Sequence, residues 1–198
     1  MNGFKNFLNE KTKSVVFTFG RMNPITKGHE ENVKELISLA KKYNATPMLF
    51  LSQSNDNKKN PLKFEDKVKF ANKFFPIKVS TDTKLKTPFQ ILEELGKQGY
   101  KNVYFVVGED RVEEFKNNMS KYTKDYGIEH FEVLNSGKRT EGVSGSDMRK
   151  YVLDDDFESF KKNAPKSAKE SDVKEMFNLV KEGLEKWVIH LDLNLIKI

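Results

Sequence analysis

Apolar runs of strand character alternate with segments of helical period along residues 15–134, and this alternation constrains the fold more than any other feature. Residues 15–19 (VVFTF) are β-branched or aromatic throughout, as expected of a strand covered on both faces, and the run stops at Gly20. From Glu30 to Tyr43 the apolar residues Val33, Leu36, Ile37, Ala40 and Tyr43 recur at helical spacing, with Lys41 and Lys42 placed for the negative end of the helix dipole. The pattern then repeats. Residues 47–51 read as a strand, 64–75 as a helix with Val68, Phe70, Ala71 and Phe74 inward, and 77–79 as a short strand. Thr87, Pro88 and Gln90 form a helix start with a hydroxyl cap, a first-turn proline and a glutamine positioned to return the bond; that helix runs to Gln98. Residues 103–107 are a second fully apolar strand, 111–122 a helix, 128–134 a fifth strand and 135–142 a loop. The expected fold is α/β: a Rossmann-like, five-stranded parallel sheet with helices on both faces.

Residues 1–150 carry this pattern and are expected to form the main domain. Beyond Lys150 the stretch DDDFESFKKNAPKSAKESD is polar and contains proline, so it is expected to bury little surface. An amphipathic helix over 172–186 follows, making residues 151–198 a C-terminal helical appendage. Residues 187–195 alternate apolar and polar positions, which suits a terminal strand on a sheet edge or subunit contact, with a helix as the alternative. A homo-oligomer is possible through that segment.

Composition narrows the function classes. Charged residues make up 32% of the chain and no apolar run reaches membrane-spanning length, so no membrane partner is expected. The first residues, MNGFKNFLNEKTK, have no apolar stretch of signal-peptide type, and there is no cysteine, so a cytoplasmic location is expected. The net charge of +6 favours anionic ligands, but lysines are interleaved with acids as on ordinary solvated helices, so nucleic acid is an unlikely partner.

Ligands of open parallel sheets sit beyond the carboxyl ends of strands. Residues 20–29, GRMNPITKGH, occupy that place after the first strand. Gly20 permits close backbone approach, Gly28 and His29 lie at a helix start whose N–H groups face outward, His29 offers a charge-assisted donor, and Arg21 adds a permanent charge. This loop suits phosphate. The segment resembles the first signature of the HxGH nucleotidylyltransferase superfamily, with Pro24, Gly28 and His29 at family spacing and a Gly-Arg start like that of the nicotinamide mononucleotide adenylyltransferase branch. Thr26 stands where many members carry a first histidine, although the phosphopantetheine branch is similar in having threonine.

Three further segments follow in family order. Asn60-Pro61 with Lys67 resembles the Asn-Pro-Phe segment of the nicotinamide branch; taken alone it also reads as a proline turn before a helix. Gly108-Glu109-Asp110-Arg111 looks like the Gly-x-Asp segment beside the nucleotide, and equally like a capped helix start. Val143-Ser144-Gly145-Ser146-Asp147-Met148-Arg149 resembles the second signature, Ile-Ser-x-Thr-x-x-Arg. There Ser144 and Ser146 can cap a helix whose positive end faces phosphates, with Arg149 one turn on. The whole arrangement is similar, over about residues 14–160, to nucleotidylyltransferase-like proteins of large tailed phages, which would place the chain in a host cytoplasm.

The resemblance implies transfer of a nucleoside monophosphate, AMP from ATP foremost with CTP possible, to a small phosphorylated or hydroxyl acceptor, with Mg²⁺ accompanying the triphosphate. It assigns catalytic roles to Arg21, Thr26, His29 and Arg149. It assigns nucleotide binding to Gly20, Met22, Asn23, Pro24, Gly28, Gly108, Asp110, Arg111, Ser144, Gly145 and Ser146. Asn60 and Lys67 are possible acceptor contacts. No metal site of the protein's own is expected: His29, His130 and His190 are far apart, and residues 154–156 read better as a helix start than as a Mg²⁺ site. The glycines at 137, 142 and 145 do not form a dinucleotide fingerprint, and no P-loop is present. Two readings from other classes remain: a nucleotide-binding or structural protein that keeps the fold without efficient transfer, and a nucleic-acid-binding module resting on charge alone.

Overall fold

The computed structural model describes residues 12–137 and 144–195, with side chains through residue 185. Val143 and residues 138–142, the remainder of the second signature and of the expected loop, lie outside the described residues. The elements are β1 (Ser14–Gly20), α1 (Lys27–Lys42), β2 (Thr46–Leu51), α2 (Phe64–Phe74), β3 (Lys78–Val79), α3 (Pro88–Lys97), β4 (Asn102–Val107), α4 (Val112–Met119), β5 (His130–Asn135), α5 (Gly145–Leu153), α6 (Phe157–Asn163) and α7 (Glu170–Leu195), with single 3₁₀ turns flanking α4. All strand pairings are parallel and the sheet order is β3-β2-β1-β4-β5. The chain therefore moves outward from β1 through β2 to β3, then crosses back to place β4 on the other side of β1. The crevice between the carboxyl ends of β1 and β4 is the switch point where such sheets bind ligands.

Strand composition explains the layering. Val15, Val16 and Phe17 are fully buried, and successive residues serve opposite faces. Val16 packs with Leu36, Ala40, Tyr104 and Val106 beneath α1. Val15 and Phe17 pack with Ile91, Leu92, Phe105 and Phe115 beneath α3 and α4. Phe17 stacks on Phe105 with centroids 4.4 Å apart and meets Phe50 edge-on at 5.8 Å. Each such fully buried side chain contributes roughly 1.5–3 kcal/mol, so a strand with no polar parity is held from both sides. The expected capping box at Thr87 and Gln90 is present.

The structure departs from expectation at the carboxyl-terminal third. Phe160 is fully buried, and Asn163 and Ala164 nearly so, within the stretch expected to bury little. Phe160 and Phe157 both meet Phe177 edge-to-face, at 5.2 and 5.4 Å. These rings join Val173, Met176, Val180 and Leu184 in one cluster with Met22, Ile25, Leu62 and Phe70. α6 escapes sequence reading because it is short and buries one large side chain, whose partner stands on another helix. Residues 187–195, expected as a strand with helix as the alternative, continue α7. Extending an existing helix adds a hydrogen bond per residue without a new nucleus, whereas a strand would need an edge to pair with.

α1 begins at Lys27, ahead of the apolar periodicity that starts near Val33. Its first turn carries capping and glycine residues, which a hydrophobic period does not register. Asp156 caps α6 by accepting from the Ser159 N–H at 2.9 Å, and Asp155 pairs with Lys181 at 2.8 Å, so the acidic run at 154–156 does structural duty at a helix start.

Candidate functional site

Gly20 ends β1, and the loop that follows is pinned at nearly every residue. Met22 has φ 45, a left-handed conformation uncommon for a bulky side chain, and is 3% exposed. Strain of this kind persists where surrounding packing over-determines it, and Met22 is held in the large apolar cluster with Ile25. The Met22 side chain is thus core. Asn23 precedes Pro24 through a cis bond. The buried Asn23 amide pairs both ways with the backbone of Leu62: Nδ2 donates to the Leu62 carbonyl at 2.9 Å, and the Leu62 N–H donates to Oδ1 at 3.0 Å. The first signature is thereby fastened to the Asn60-Pro61 segment.

Thr26 caps α1. Its Oγ1 accepts from the His29 N–H at 3.4 Å, while the Thr26 N–H donates to His29 Nδ1 at 3.0 Å. This is a capping box in which histidine takes the place usually held by Glu or Gln. Because Nδ1 must accept a backbone N–H, the neutral ring carries its proton on Nε2, which makes no hydrogen bond among the described residues. Burial, then the nearby Arg21 guanidinium, lower the His29 pKa to about 4. The ring is neutral at pH 7 in the free protein, so the charge-assisted donor expected from the sequence is a neutral Nε2–H instead. Thr26 is itself 3% exposed, and its hydroxyl is engaged in orienting His29.

α5 completes the arrangement. Ser144 caps it in a second box: its Oγ accepts from the Asp147 N–H at 3.2 Å, and its N–H donates to Asp147 Oδ2 at 2.8 Å. Arg149 Nη1 donates to the Asn23 carbonyl at 2.8 Å and Nη2 to Ser146 Oγ at 2.9 Å. A Cβ at Gly145 would sit 3.3 Å from both Arg149 Nη1 and the Asn23 carbonyl oxygen, so glycine permits the close seat of α5 on the first loop. The start of α5 is consequently seated on the loop that leads into α1. Burial, then the positive charge of Arg21, depress the Arg149 pKa, with Asp56 acting in the opposite sense. In each capped helix the first N–H groups, those of Lys27 and Gly28 in α1 and of Gly145 and Ser146 in α5, are the ones a cap to the third residue leaves open. Open N–H groups of this kind suit an anion.

The remaining expected residues lie at neighbouring strand ends. Gly108 closes β4, next to β1 in the sheet, and a Cβ there would come 2.8 Å from Asp110 Oδ1. Arg111 is turned along its own helix: Nε lies 3.3 Å from Glu114 Oε2, and its guanidinium carbon 4.3 Å from the Phe115 ring centroid. Asn60 is buried, with Nδ2 donating to Asp56, while its Oδ1 has no partner. Lys67 is fully buried; Nζ donates to the Ser52 carbonyl and, at 3.4 Å, to Ser52 Oγ. Burial lowers its pKa to about 8. Ser52 in turn donates its N–H to the Gly20 carbonyl at 2.9 Å, so Lys67 braces the strand end on which the first loop stands.

Four residues that sequence reasoning passed over support the site. Ser52 links Lys67 to Gly20. Asp56 organises its loop by accepting from the N–H groups of Lys58 and Lys59, which, with the Asn60 amide, hold its pKa near 2. Leu62 pairs with Asn23. Glu30, next to His29, is buried and accepts from the N–H groups of Lys166 at 2.8 Å and Ser167 at 3.2 Å, tying the α6–α7 connection to α1. Only Asp56 left a local signal, the turn-forming run Asn55-Asp56-Asn57.

Among the described residues no three His, Cys, Asp or Glu side chains gather as a metal site. Arg149 and the open N–H groups of α1 and α5 are donors suited to phosphate oxygens. Among the described residues no helix is long and apolar enough to cross a membrane.

Comparison with known proteins shows a family and a structural likeness. The cytidylyltransferase-like family model matches residues 17–151, a stretch that contains both signatures and ends before α6. Among solved structures, Thermotoga maritima TmcAL bound with alpha-thio ATP is similar, with a TM-score of 0.53 and 11% identity. The match covers 87% of this chain and 56% of that one, so the chain spans little more than half the length of that protein. No curated protein matches.

Proposed function

The chain belongs to the cytidylyltransferase-like family of nucleotidyltransferases, and from that premise we propose that it transfers a nucleoside monophosphate, AMP from ATP foremost, to a small phosphorylated or hydroxyl acceptor. The observation that carries this reading is Arg149 bridging Asn23 and Ser146, which seats the start of α5 on the loop that leads into α1. An acceptor oxygen attacks the α-phosphorus in line; the bond to the bridging oxygen breaks and pyrophosphate leaves. Such transfer asks little covalent chemistry of the protein, and its acceleration comes from positioning and charge stabilisation. The open N–H groups of α1 and α5 with Arg149 and Arg21 hold the triphosphate, and the Nε2–H of His29 donates to an oxygen that gains charge as the bond breaks. Mg²⁺ bound to the phosphates supplies further charge neutralisation.

ATP is placed first because the resembling branches are adenylyltransferases; the T. maritima structure holding an ATP analogue agrees with it. The family description points equally to CTP. Asn60 and Lys67 are buried and engaged by Asp56 and Ser52, so in this reading they shape the ground beside the end of β2 instead of touching the acceptor. A pyrophosphate-release screen tests the reading: each nucleoside triphosphate with Mg²⁺ against nicotinamide mononucleotide, phosphopantetheine, flavin mononucleotide, and sugar and glycerol phosphates. Release with one pair supports transfer. Tight triphosphate binding with no release from any pair supports the second reading, a nucleotide-binding protein, which is favoured by the engagement of Thr26 Oγ1 within the cap.

A further inference from the structure

Gly183 stands within α7, where glycine is disfavoured relative to alanine because it loses more backbone freedom. A Cβ at this position would lie 2.4 Å from the Pro61 carbonyl oxygen and 2.8 Å from Pro61 Cβ, closer than side chains tolerate. Glycine is therefore the condition for α7 to lie directly on the Pro61 backbone. Pro61 precedes Leu62, whose N–H and carbonyl are both taken by the Asn23 amide. Asn23 presents its own carbonyl to Arg149. An unbroken series of backbone and amide contacts thus runs from α7 to the guanidinium at the phosphate site.

We infer that Gly183 is a positioning residue for the nucleotide site, acting through Pro61 and Leu62 on Asn23 and through Asn23 on Arg149. The inference rests on the proposed triphosphate binding at Arg149. It gives α7, which lies outside the stretch matched by the family model, a part in the reaction. The physical basis is the density of the relay. The Pro61 carbonyl is also approached by Asn55 Nδ2 at 3.5 Å, and Pro61 itself is buried, so a methyl at residue 183 displaces the segment instead of being absorbed by a mobile side chain. Leu62 is fully buried and cannot shift without breaking its two bonds to Asn23. Moving Asn23 relocates one of the two acceptors that aim Arg149.

The test compares full-length Gly183→Ala with Val173→Ala, which shortens a buried residue of the same helix away from Pro61. Three quantities are read: amide hydrogen exchange at Leu62, dissociation constants for MgATP and MgCTP by calorimetry, and the melting temperature. In Gly183→Ala the Leu62 amide is expected to exchange at least about tenfold faster. The dissociation constant of the preferred nucleotide is expected to rise about five- to twentyfold, the usual range for coupling through packed residues. Val173→Ala is expected to lower the melting temperature while leaving both other readouts near wild type. If Gly183→Ala does not fold, Leu184→Ala loosens the same turn of α7 without adding an atom and is expected to move both readouts in the same direction. Wild-type values for Leu62 exchange and nucleotide affinity in Gly183→Ala overturn the inference, as does an equal loss of affinity in Val173→Ala. A wild-type chain that binds neither nucleotide sinks the proposed function instead, and the Leu62 exchange then still reports whether α7 is coupled to Asn23.

Discussion

His29 holds two roles that one substitution pair can separate. Nδ1 closes the α1 cap by accepting from the Thr26 N–H at 3.0 Å, and Nε2–H is the donor assigned to the reacting phosphate. His29→Ala removes both. Loss of the reciprocal cap bond costs about 0.5–1.5 kcal/mol, and loss of a transition-state donor costs roughly a hundredfold or more in turnover. His29→Asn restores an acceptor near the position of Nδ1 but places nothing at Nε2. It is expected to regain most of the stability while keeping the full loss in pyrophosphate release. The pH dependence follows from the lowered pKa. The folded value, about 4, lies below the ordinary 6.5, so the contribution is present above pH 6.5 and is lost as pH falls toward 4. Between pH 7 and pH 5 this amounts to about 2 kcal/mol as an upper bound, and to about 1 kcal/mol once solvent screening of the partly exposed ring is allowed for. Chemical denaturation of wild type and His29→Asn at both pH values reads the difference directly. A His29→Asn protein with wild-type turnover would refute the Nε2 role, and parallel stability curves at the two pH values would refute the neutral ring.

Arg149→Ala should raise the triphosphate dissociation constant at least about tenfold, since a forked cation is lost together with its hold on the Asn23 carbonyl; calorimetry reads it, and an unaltered constant contradicts the assignment. Lys67→Met should melt at or above the wild-type temperature at pH 7, because no carboxylate lies within ion-pair distance of Lys67 among the described residues. Its folded pKa, about 8, is depressed below 10.5, so wild-type stability rises as pH passes from 8 to 10.5 and the gap to Lys67→Met narrows there. A gap that widens above pH 8 would reverse the sign of this account. Phe160→Ala should cost about 3–5 kcal/mol in chemical denaturation, with a single transition shared by α6 and the sheet; a loss below about 1 kcal/mol would mean that α6 is peripheral.

The strands were legible because β1, β2 and β4 are apolar at both parities, a composition that only burial on both faces explains. Local hydrogen-bond chemistry was legible as well: the caps at Thr87 and Ser144 join residues three apart, within one helical turn. Residues 20–29 and 144–149 were paired through their resemblance to two family signatures, and the Arg149–Asn23 bond brings the two segments together. Contacts across the fold decided the rest. The Asn23–Leu62 pair spans 39 positions, the Arg149–Asn23 bond 126, and the Phe160–Phe177 contact joins two helices; no periodicity encodes such partners. The protonation of His29 was likewise outside the reach of sequence, since it follows from a backbone donor at Nδ1 and from burial beside Arg21. The sequence by itself determined the elements and the kind of charge the loops present, because those depend on residues near one another in the chain. Tertiary packing alone determined where Arg149 is aimed and that α7 rests on Pro61, because each depends on atoms brought together only when the chain closes on itself.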